Sequence, residues 1–285
     1  MGQNHDVGSR IKVGREIGSF DSLPEDCISN IISFTNPRDA CIVALVSNTF
    51  NSAAKSDIIW DKFIPPEYPS LIPPSRVFPS KKELYFTLCD DPLLIEHGKK
   101  SLWLEKASGS KCIMLSAMSL SIIWGDSPMY WQWIQIPEAR FELVAKLIDV
   151  CWFEIRGRMD TRVLSSRTRY SAYIVFKEAN RCNGFEDVAI EARVGVVGQE
   201  ATRRFICFDS ATGGQNQRRR RGRRNLVKPE EREDGWMEIE LGEFFIEGGL
   251  TNCDEIEMSV LETKQLHWKS GLIIHGIEIR PSKIQ

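Results

Sequence analysis

The spacing of apolar positions changes near residue 108, and the change divides the chain in two. Before it, apolar residues recur at three- and four-residue intervals: Cys27, Ile28, Ile31 and Ile32 come after Leu23-Pro24, and Ala40, Cys41, Val43 and Ala44 come after Asn36-Pro37-Arg38-Asp39. Such spacing gives a helix one apolar face, and a proline in the first turn behind a capping residue marks its start. Ser47 ahead of Phe50, Ala53 and Ala54, and Ser56-Asp57 ahead of Ile59, Trp60 and Phe63, predict two more short helices, stopped by Pro65 and Pro66. Four short helices in roughly 45 residues bury too little surface to be stable alone, so this unit needs apolar surface from elsewhere.

Residues 65–108 open with Pro65, Pro66, Pro69, Pro73, Pro74 and Pro79, then carry helical patterns over Lys81 to Cys89 and Pro92 to His97. A semi-rigid connector is expected, with His97 at the surface near a helix end. Beyond Ser108 the period becomes two. Alternating segments at Val150 to Ile155, Tyr170 to Phe176, Val188 to Val194, Arg204 to Phe208, Met237 to Leu241, Glu255 to Leu261 and Leu272 to Ile279 predict an antiparallel sandwich over residues 109–285. Pro137 to Leu147 reads as one helix with Phe141, Val144, Ala145 and Leu147 as its stripe, and Trp236, Glu238 and Glu240 read as a solvent face opposite Met237, Ile239 and Leu241. The fold class is therefore α+β: a lead without structure over residues 1–19, a helical unit over 20–64, the connector, and the sandwich.

Within the sandwich the stretch Ser116 to Trp133 stands out, because three of the eight tryptophans, Trp124, Trp131 and Trp133, flank a Gly-Asp-Ser-Pro turn. Leu120, Ile122 and Trp124 alternate with Ser119, Ser121 and Ile123, which predicts a strand delivering Trp124 to the loop. An indole held at a loop edge offers an apolar face and one N–H, which suits a sugar ring or a partner's aromatic side chain; an indole in the core offers neither.

Composition removes several alternatives. A net charge of -2 gives no global attraction to nucleic acid or membrane. Eight scattered cysteines contain no C-x-x-C pair, and no histidine stands at zinc-ligand spacing, so no metal or other cofactor is expected and the thiols read as free. No signal peptide and no bilayer-spanning run is expected. Paired catalytic carboxylates would need one acid held protonated in an apolar setting, and no glutamate shows that context, so a non-catalytic protein is expected. The run Arg218, Arg219, Arg220, Arg221, Arg223 and Arg224 lies in a Gly/Gln/Asn stretch; it suits nuclear localisation better than nucleic-acid binding, because no aromatic residue is interleaved to stack on bases.

The ordered set Leu23-Pro24, Ile28, Ile31-Ile32, Pro37-Arg38-Asp39, Val46-Ser47, Phe50 and Trp60 closely resembles the F-box, the helical motif that docks on SKP-type adaptors of cullin-RING ubiquitin ligases. That resemblance implies adaptor contacts from Leu23, Pro24, Ile28, Ile31, Ile32, Val46 and Trp60. Phe34-Thr35 departs from it, standing where the family commonly has an apolar residue and proline. The motifs SLSIIWGDSPMYWQW, DVCWFEIRGRM, DGWMEIELGEFF and WKSGLIIHGIEIRP resemble, in order, the plant phloem protein 2 lectins and Nictaba-like agglutinins, and with the F-box in front the chain looks like a phloem protein 2 B-class F-box protein. This implies a β-sandwich binding N-acetylglucosamine oligomers and related N-glycan cores through Trp124 and Trp131 and through Glu255 and Glu262, with Asp254 or Glu257 as possible substitutes for the glutamates. A rim indole packs on the C–H face of a sugar while a carboxylate accepts from its hydroxyls. The expected function is a ligase adaptor in cytoplasm and nucleus that presents glycoproteins; a lectin without a ligase role, and a sandwich that reads protein surfaces, are the alternatives.

Overall fold

A computed structural model describes residues 23–186, 188–209, 226–247 and 254–283. The expected lead over 1–19 and the arginine run at 218–224 lie outside the described residues. The four expected helices form behind their caps. α1 (Glu25–Ile32) starts after Pro24, and α2 (Pro37–Val43) starts after Asn36, whose side chain accepts from the Asp39 N–H. α3 (Asn48–Ala53) and α4 (Asp57–Phe63) start after Ser47 and Ser56, whose hydroxyls accept from the amides of Phe50 and Ile58. Each side-chain cap stabilises its helix by about 1 kcal/mol. Two more helices come next, α5 (Tyr68–Leu71) and α6 (Lys81–Asp90).

The stretch expected to act as a connector is instead packed structure. α6 lies on α4: Trp60 is wholly buried, donates its indole N–H to the Ala54 carbonyl at 2.8 Å, and meets Phe63, Tyr85 and Phe86 with ring centroids 5.7, 5.2 and 5.3 Å away. Pro92 to His97 is not helical. It forms β1 (Leu93–Ile95), which turns through Glu96 and His97, both in the left-handed region, into β2 (Lys100–Leu104). A short run between Pro92 and Gly98 gains more from pairing with a neighbouring strand than from little more than one turn of helix. The helical unit thus obtains its missing core within the chain. Tyr68 and Tyr85 donate their hydroxyls to the carbonyls of Trp103 and of Glu105 and Lys106, and buried residues from Ile28 to Ile279 form one apolar cluster.

The remaining strands are β3 (Lys111–Ser116), β4 (Ser121–Ile122), β5 (Trp131–Ile134), β6 (Val144–Leu147), β7 (Phe153–Asp160), β8 (Thr168–Asn183), β9 (Ile190–Val196), β10 (Thr202–Ile206), β11 (Leu226–Val227), β12 (Glu230–Glu231), β13 (Met237–Ile246), β14 (Glu255–Glu262) and β15 (Ser270–Pro281). Among the described residues they make two sheets. One runs β1-β2-β3-β15-β8-β13-β12 with the β5-β6 hairpin beside β15; the other runs β11-β10-β9-β14-β7-β4. Pairing is antiparallel apart from β10 with β11. Ile155, Met258 and Val260 from one sheet and Ile174, Ile239 and Ile277 from the other fill the space between them. The chain is therefore α+β, with N-terminal helices ahead of a largely antiparallel sheet domain, as expected.

Two local expectations are overturned. Val144, Ala145 and Leu147, read as a helical stripe, lie in β6 because that segment finds strand partners on both sides, β5 and β15. The face carrying Trp236 and Glu238 is covered rather than solvated: Trp236 has no exposed surface, and Arg232 and Arg280 both bridge Glu238 and Glu278 in a closed ring of alternating charges. The segment holding Arg140 lies over this face and donates its main-chain N–H to His275 Nε2 at 3.0 Å, while the imidazole stacks on Trp236 at 4.2 Å.

His275 gives a pH test. Burial first, and then the positive charge of Arg140, push its pKa down from 6.5 to about 3. The folded state keeps this imidazole neutral while the unfolded chain protonates it, so its contribution is full above about 6.5 and is lost as pH falls toward 3. The expected slope from this group is about 1.4 kcal/mol per pH unit. Urea unfolding from pH 6 to 4 is expected to show that loss in the parent and a flatter profile in His275→Gln, which keeps an acceptor for the Arg140 amide; equal slopes would contradict the assignment.

Candidate functional site

The tryptophan-rich loop is built by its own hydrogen bonds. A 3₁₀ turn (Ala117–Ser119) precedes β4, so the expected long strand shortens to two residues, and Trp124 comes after it with φ 54°. A bulky residue in the left-handed region is held there by its surroundings. Here the amides of Gly125 and Ser127 bond the carbonyls of Ile122 and Trp124 at 3.0 and 2.9 Å. A Cβ on Gly125 would sit 3.0 Å from the Ile122 carbonyl oxygen, so glycine suits that close approach. Trp131 and Trp133 fasten the loop from below, donating their indole N–H groups to the carbonyls of Ile123 and Gly125 at 3.0 and 2.9 Å.

This division of labour corrects the expectation that Trp124 and Trp131 share a surface. Trp124 is 38% exposed and lies against Tyr130 at 4.9 Å, whereas Trp131 is 1% exposed and belongs to the core. The two glutamates also separate. Seven positions apart on β14, Glu255 and Glu262 point to opposite faces and stand about 24 Å apart along the strand. Glu255 pairs with Asp160 at the far end of β7, half-exposed beside Arg158. Glu262 pairs with Phe153, at the Trp124 end, but faces inward at 4% exposure. Its carboxylate meets Lys269 Nζ at 2.5 Å and accepts from the amides of Gln265 and Lys264 at 2.9 and 3.1 Å. Burial by itself would raise the Glu262 pKa; those two amides and the ammonium outweigh it and hold the carboxyl below its usual range. Glu257, weighed as a substitute, is taken up by Arg156 and Arg158. Trp124, Trp131, Glu255 and Glu262 are therefore not gathered at one surface.

On the strand that neighbours the Trp124 turn, the acidic residue is Glu154. Its main-chain carbonyl accepts from the Ile123 amide at 3.0 Å, one residue before Trp124. Its side chain accepts from the Trp152 indole at 2.9 Å and from Arg156 Nε at 2.7 Å, and these partners, in that order, hold its carboxyl below the usual range. An ionised acceptor bonded to an exposed indole can accept hydrogen bonds from the hydroxyls of a ligand lying on that ring. Glu154 and Trp152 were missed from the sequence, although the Trp-x-Glu spacing inside the alternating segment Val150 to Ile155 was a signal.

The helical end presents a second surface. Leu23, Pro24, Ile31 and Val46 are exposed, as expected of docking residues, and Phe34, Ile42 and Leu45 stand with them. Ile28, Ile32 and Trp60 do not belong to it. Ile28 and Ile32 lie one turn apart on the inner face of α1, and Trp60 is consumed by its contacts with α6. Their part is to hold the helices that carry the exposed side chains.

Both parts of the chain match known families. Residues 20–62 match the F-box domain, and residues 110–281 match Phloem protein 2. The chain belongs to the phloem protein 2 family. F-box protein PP2-B10 of Arabidopsis thaliana is 70% identical over 278 residues, spanning 98% of this chain and 100% of that protein. Putative F-box protein PP2-B8 of the same plant is 64% identical over 94% of this chain and 90% of its own, and F-box protein SKIP3 is 61% identical over 93% and 90%. This phloem protein 2 chain is thus an F-box protein with the two-part layout of the PP2-B relatives. Among solved structures, a GH26-CBM35 mannanase of Podospora anserina aligns with 61% of the chain and 28% of its own at 9% identity and a TM-score of 0.32, too slight a likeness to bear on function.

Proposed function

We propose that this protein is a substrate-recognition adaptor of an SKP-cullin-F-box ubiquitin ligase whose sandwich holds glycans or glycoproteins containing N-acetylglucosamine. It works in the cytoplasm and nucleus, and ubiquitin transfer is done by partner subunits. The observation that carries the glycan reading is the half-exposed indole of Trp124, fixed in a left-handed turn and backed by Tyr130, with Glu154 on the neighbouring strand. The apolar group around Phe34, Leu45 and Val46 supports the adaptor reading, because side chains of this size at such exposure gain by burial against a partner.

A stacked ring contributes about 0.5 to 1.5 kcal/mol, so a shallow site binds roughly in the micromolar to millimolar range unless several sites engage together. Calorimetric titration with N-acetylglucosamine oligomers is expected to show binding by the full chain and about tenfold weaker binding by Trp124→Ala. Equal affinities would remove Trp124 from the site. The burial of Trp131 and Glu262 favours one second reading, a sandwich that takes a protein surface on the same exposed rings. Capture of a target unchanged by removal of its glycans, with no oligomer binding, would favour it.

A further inference from the structure

The segment 263–269, which joins β14 to β15, commits main-chain polar groups to the interior and leaves its large apolar side chains in solvent. The amides of Lys264 and Gln265 donate to the buried Glu262 carboxylate at 3.1 and 2.9 Å, and the buried Lys269 ammonium donates to the carbonyls of His267 and Cys151 at 2.7 and 3.3 Å. Val150 and Lys269 exchange main-chain bonds at 2.9 and 2.7 Å, which ties the segment to the 148–152 crossing. On another side a Cβ at Gly184 would fall 2.0 Å from the Trp268 carbonyl oxygen, so the chain is closely packed there too. Held in this way, Leu266 is 48% exposed and Trp268 59% exposed.

Leu266 has φ 51°, in the left-handed region. A bulky side chain is strained there, whereas glycine or asparagine is at home. The core gains little from a leucine that stands half in water, and the backbone loses by it, so its value lies with whatever covers it. The chemistry of that partner can be read from the surroundings. A sugar needs donors and acceptors for its hydroxyls as well as an apolar face, and this segment has turned two amides and a carbonyl inward; an apolar polypeptide surface needs only area to bury against. The segment also carries a cation at its border. Lys264 has a side chain 82% exposed and reaches Glu191 only at 3.9 Å, and that carboxylate already serves Arg193 and Arg203. An acidic residue on the partner complements it.

We propose that the 263–269 segment is a polypeptide-docking surface, on which Leu266 and Trp268 bury against an apolar peptide segment of a partner protein while Lys264 pairs with an acidic residue flanking that segment. The contact is separate from Trp124, so it stands whether or not Trp124 holds a sugar. Leu266 and Trp268 are the anchors, Trp268 the stronger, since a large ring buried at the centre of a contact carries most of its energy. Glu262 and Lys269 act through the main chain: their buried pair fixes the anchors before the partner arrives, which lowers the cost of ordering them.

The test is selection of displayed random peptides on the full chain, after which the enriched peptides are synthesised and titrated against the parent and its variants. Apolar peptides carrying an acidic residue are expected to emerge. Their affinity is expected to fall about thirtyfold in Trp268→Ala and about tenfold in Leu266→Asn, to fall and lose its salt dependence in Lys264→Gln, and to be unchanged in Trp124→Ala and Val46→Asp. Leu266→Asn keeps a residue that tolerates the left-handed turn, so its thermal midpoint is expected to equal or exceed the parent's, which separates lost docking from lost folding. Enriched peptides that bind Trp268→Ala and Leu266→Asn as well as the parent overturn the proposal, as does a selection that enriches none. Two further results would overturn it by giving the segment another occupant: N-acetylglucosamine oligomer affinity lost in Trp268→Ala, or self-association of the parent in sedimentation that Leu266→Asn abolishes.

Discussion

Val46→Asp, and separately Leu45→Asp, is expected to weaken binding of an SKP-type adaptor by at least about thirtyfold, the cost of losing one central interface anchor, and to leave thermal unfolding unchanged. Both side chains are more than two-thirds exposed, so neither contributes much to the fold, and a charge in the middle of an apolar contact must be desolvated without a partner. Ile28→Ala and Ile32→Ala make the contrast. These residues are 1% and 3% exposed, and truncation is expected to cost about 2 to 4 kcal/mol of stability, lowering adaptor binding only as the helices loosen. Unfolding midpoints measured beside adaptor titrations separate the two classes. Full adaptor binding by Val46→Asp and Leu45→Asp would show that the exposed group faces something else.

The second large effect is on stability. Lys269 is wholly buried, and its ammonium balances the inward Glu262 carboxylate. Lys269→Met leaves that carboxylate without a counter-charge and is expected to cost about 3 to 5 kcal/mol at pH 7, read from urea unfolding. Glu262→Leu combined with Lys269→Met is expected to recover much of the loss, because no charge then stays buried. The pH dependence carries the sign. In the parent the folded Glu262 pKa is depressed, so its stabilisation is present above the ordinary carboxylate value and lost as pH falls through the folded one. In Lys269→Met the unpaired carboxylate takes up a proton more readily than in the unfolded chain, so the deficit is expected to shrink between pH 7 and pH 4.5. A deficit that stays constant or grows over that range would contradict the pairing.

The helices were legible because their signals are local. Asn36, Ser47 and Ser56 each cap the helix that starts one residue later, whatever the rest of the chain does. The sandwich was legible through its period of two, but alternation cannot show which side is covered. Trp236 looked solvated because the segment that packs over it with His275 lies about a hundred residues earlier in the chain, and Glu238 because its partners Arg232 and Arg280 come from outside its strand. The site was legible in part. Trp124 stands exposed at the turn, yet the same motif puts Trp131 in the core, since a ring that must fasten the loop cannot also face solvent. For the glutamates, the odd spacing of Glu255 and Glu262 on one strand already required opposite faces.

Whether one chain joins a ligase to a glycan is tested most directly by capturing an N-acetylglucosamine-bearing glycoprotein on an immobilised SKP-type adaptor through the full-length protein. Capture is expected with the parent, with loss of the glycoprotein alone in Trp124→Ala and loss of the whole assembly in Val46→Asp. Glycoprotein held equally by the parent and Trp124→Ala, or not held by the parent at all, would contradict the bridging role.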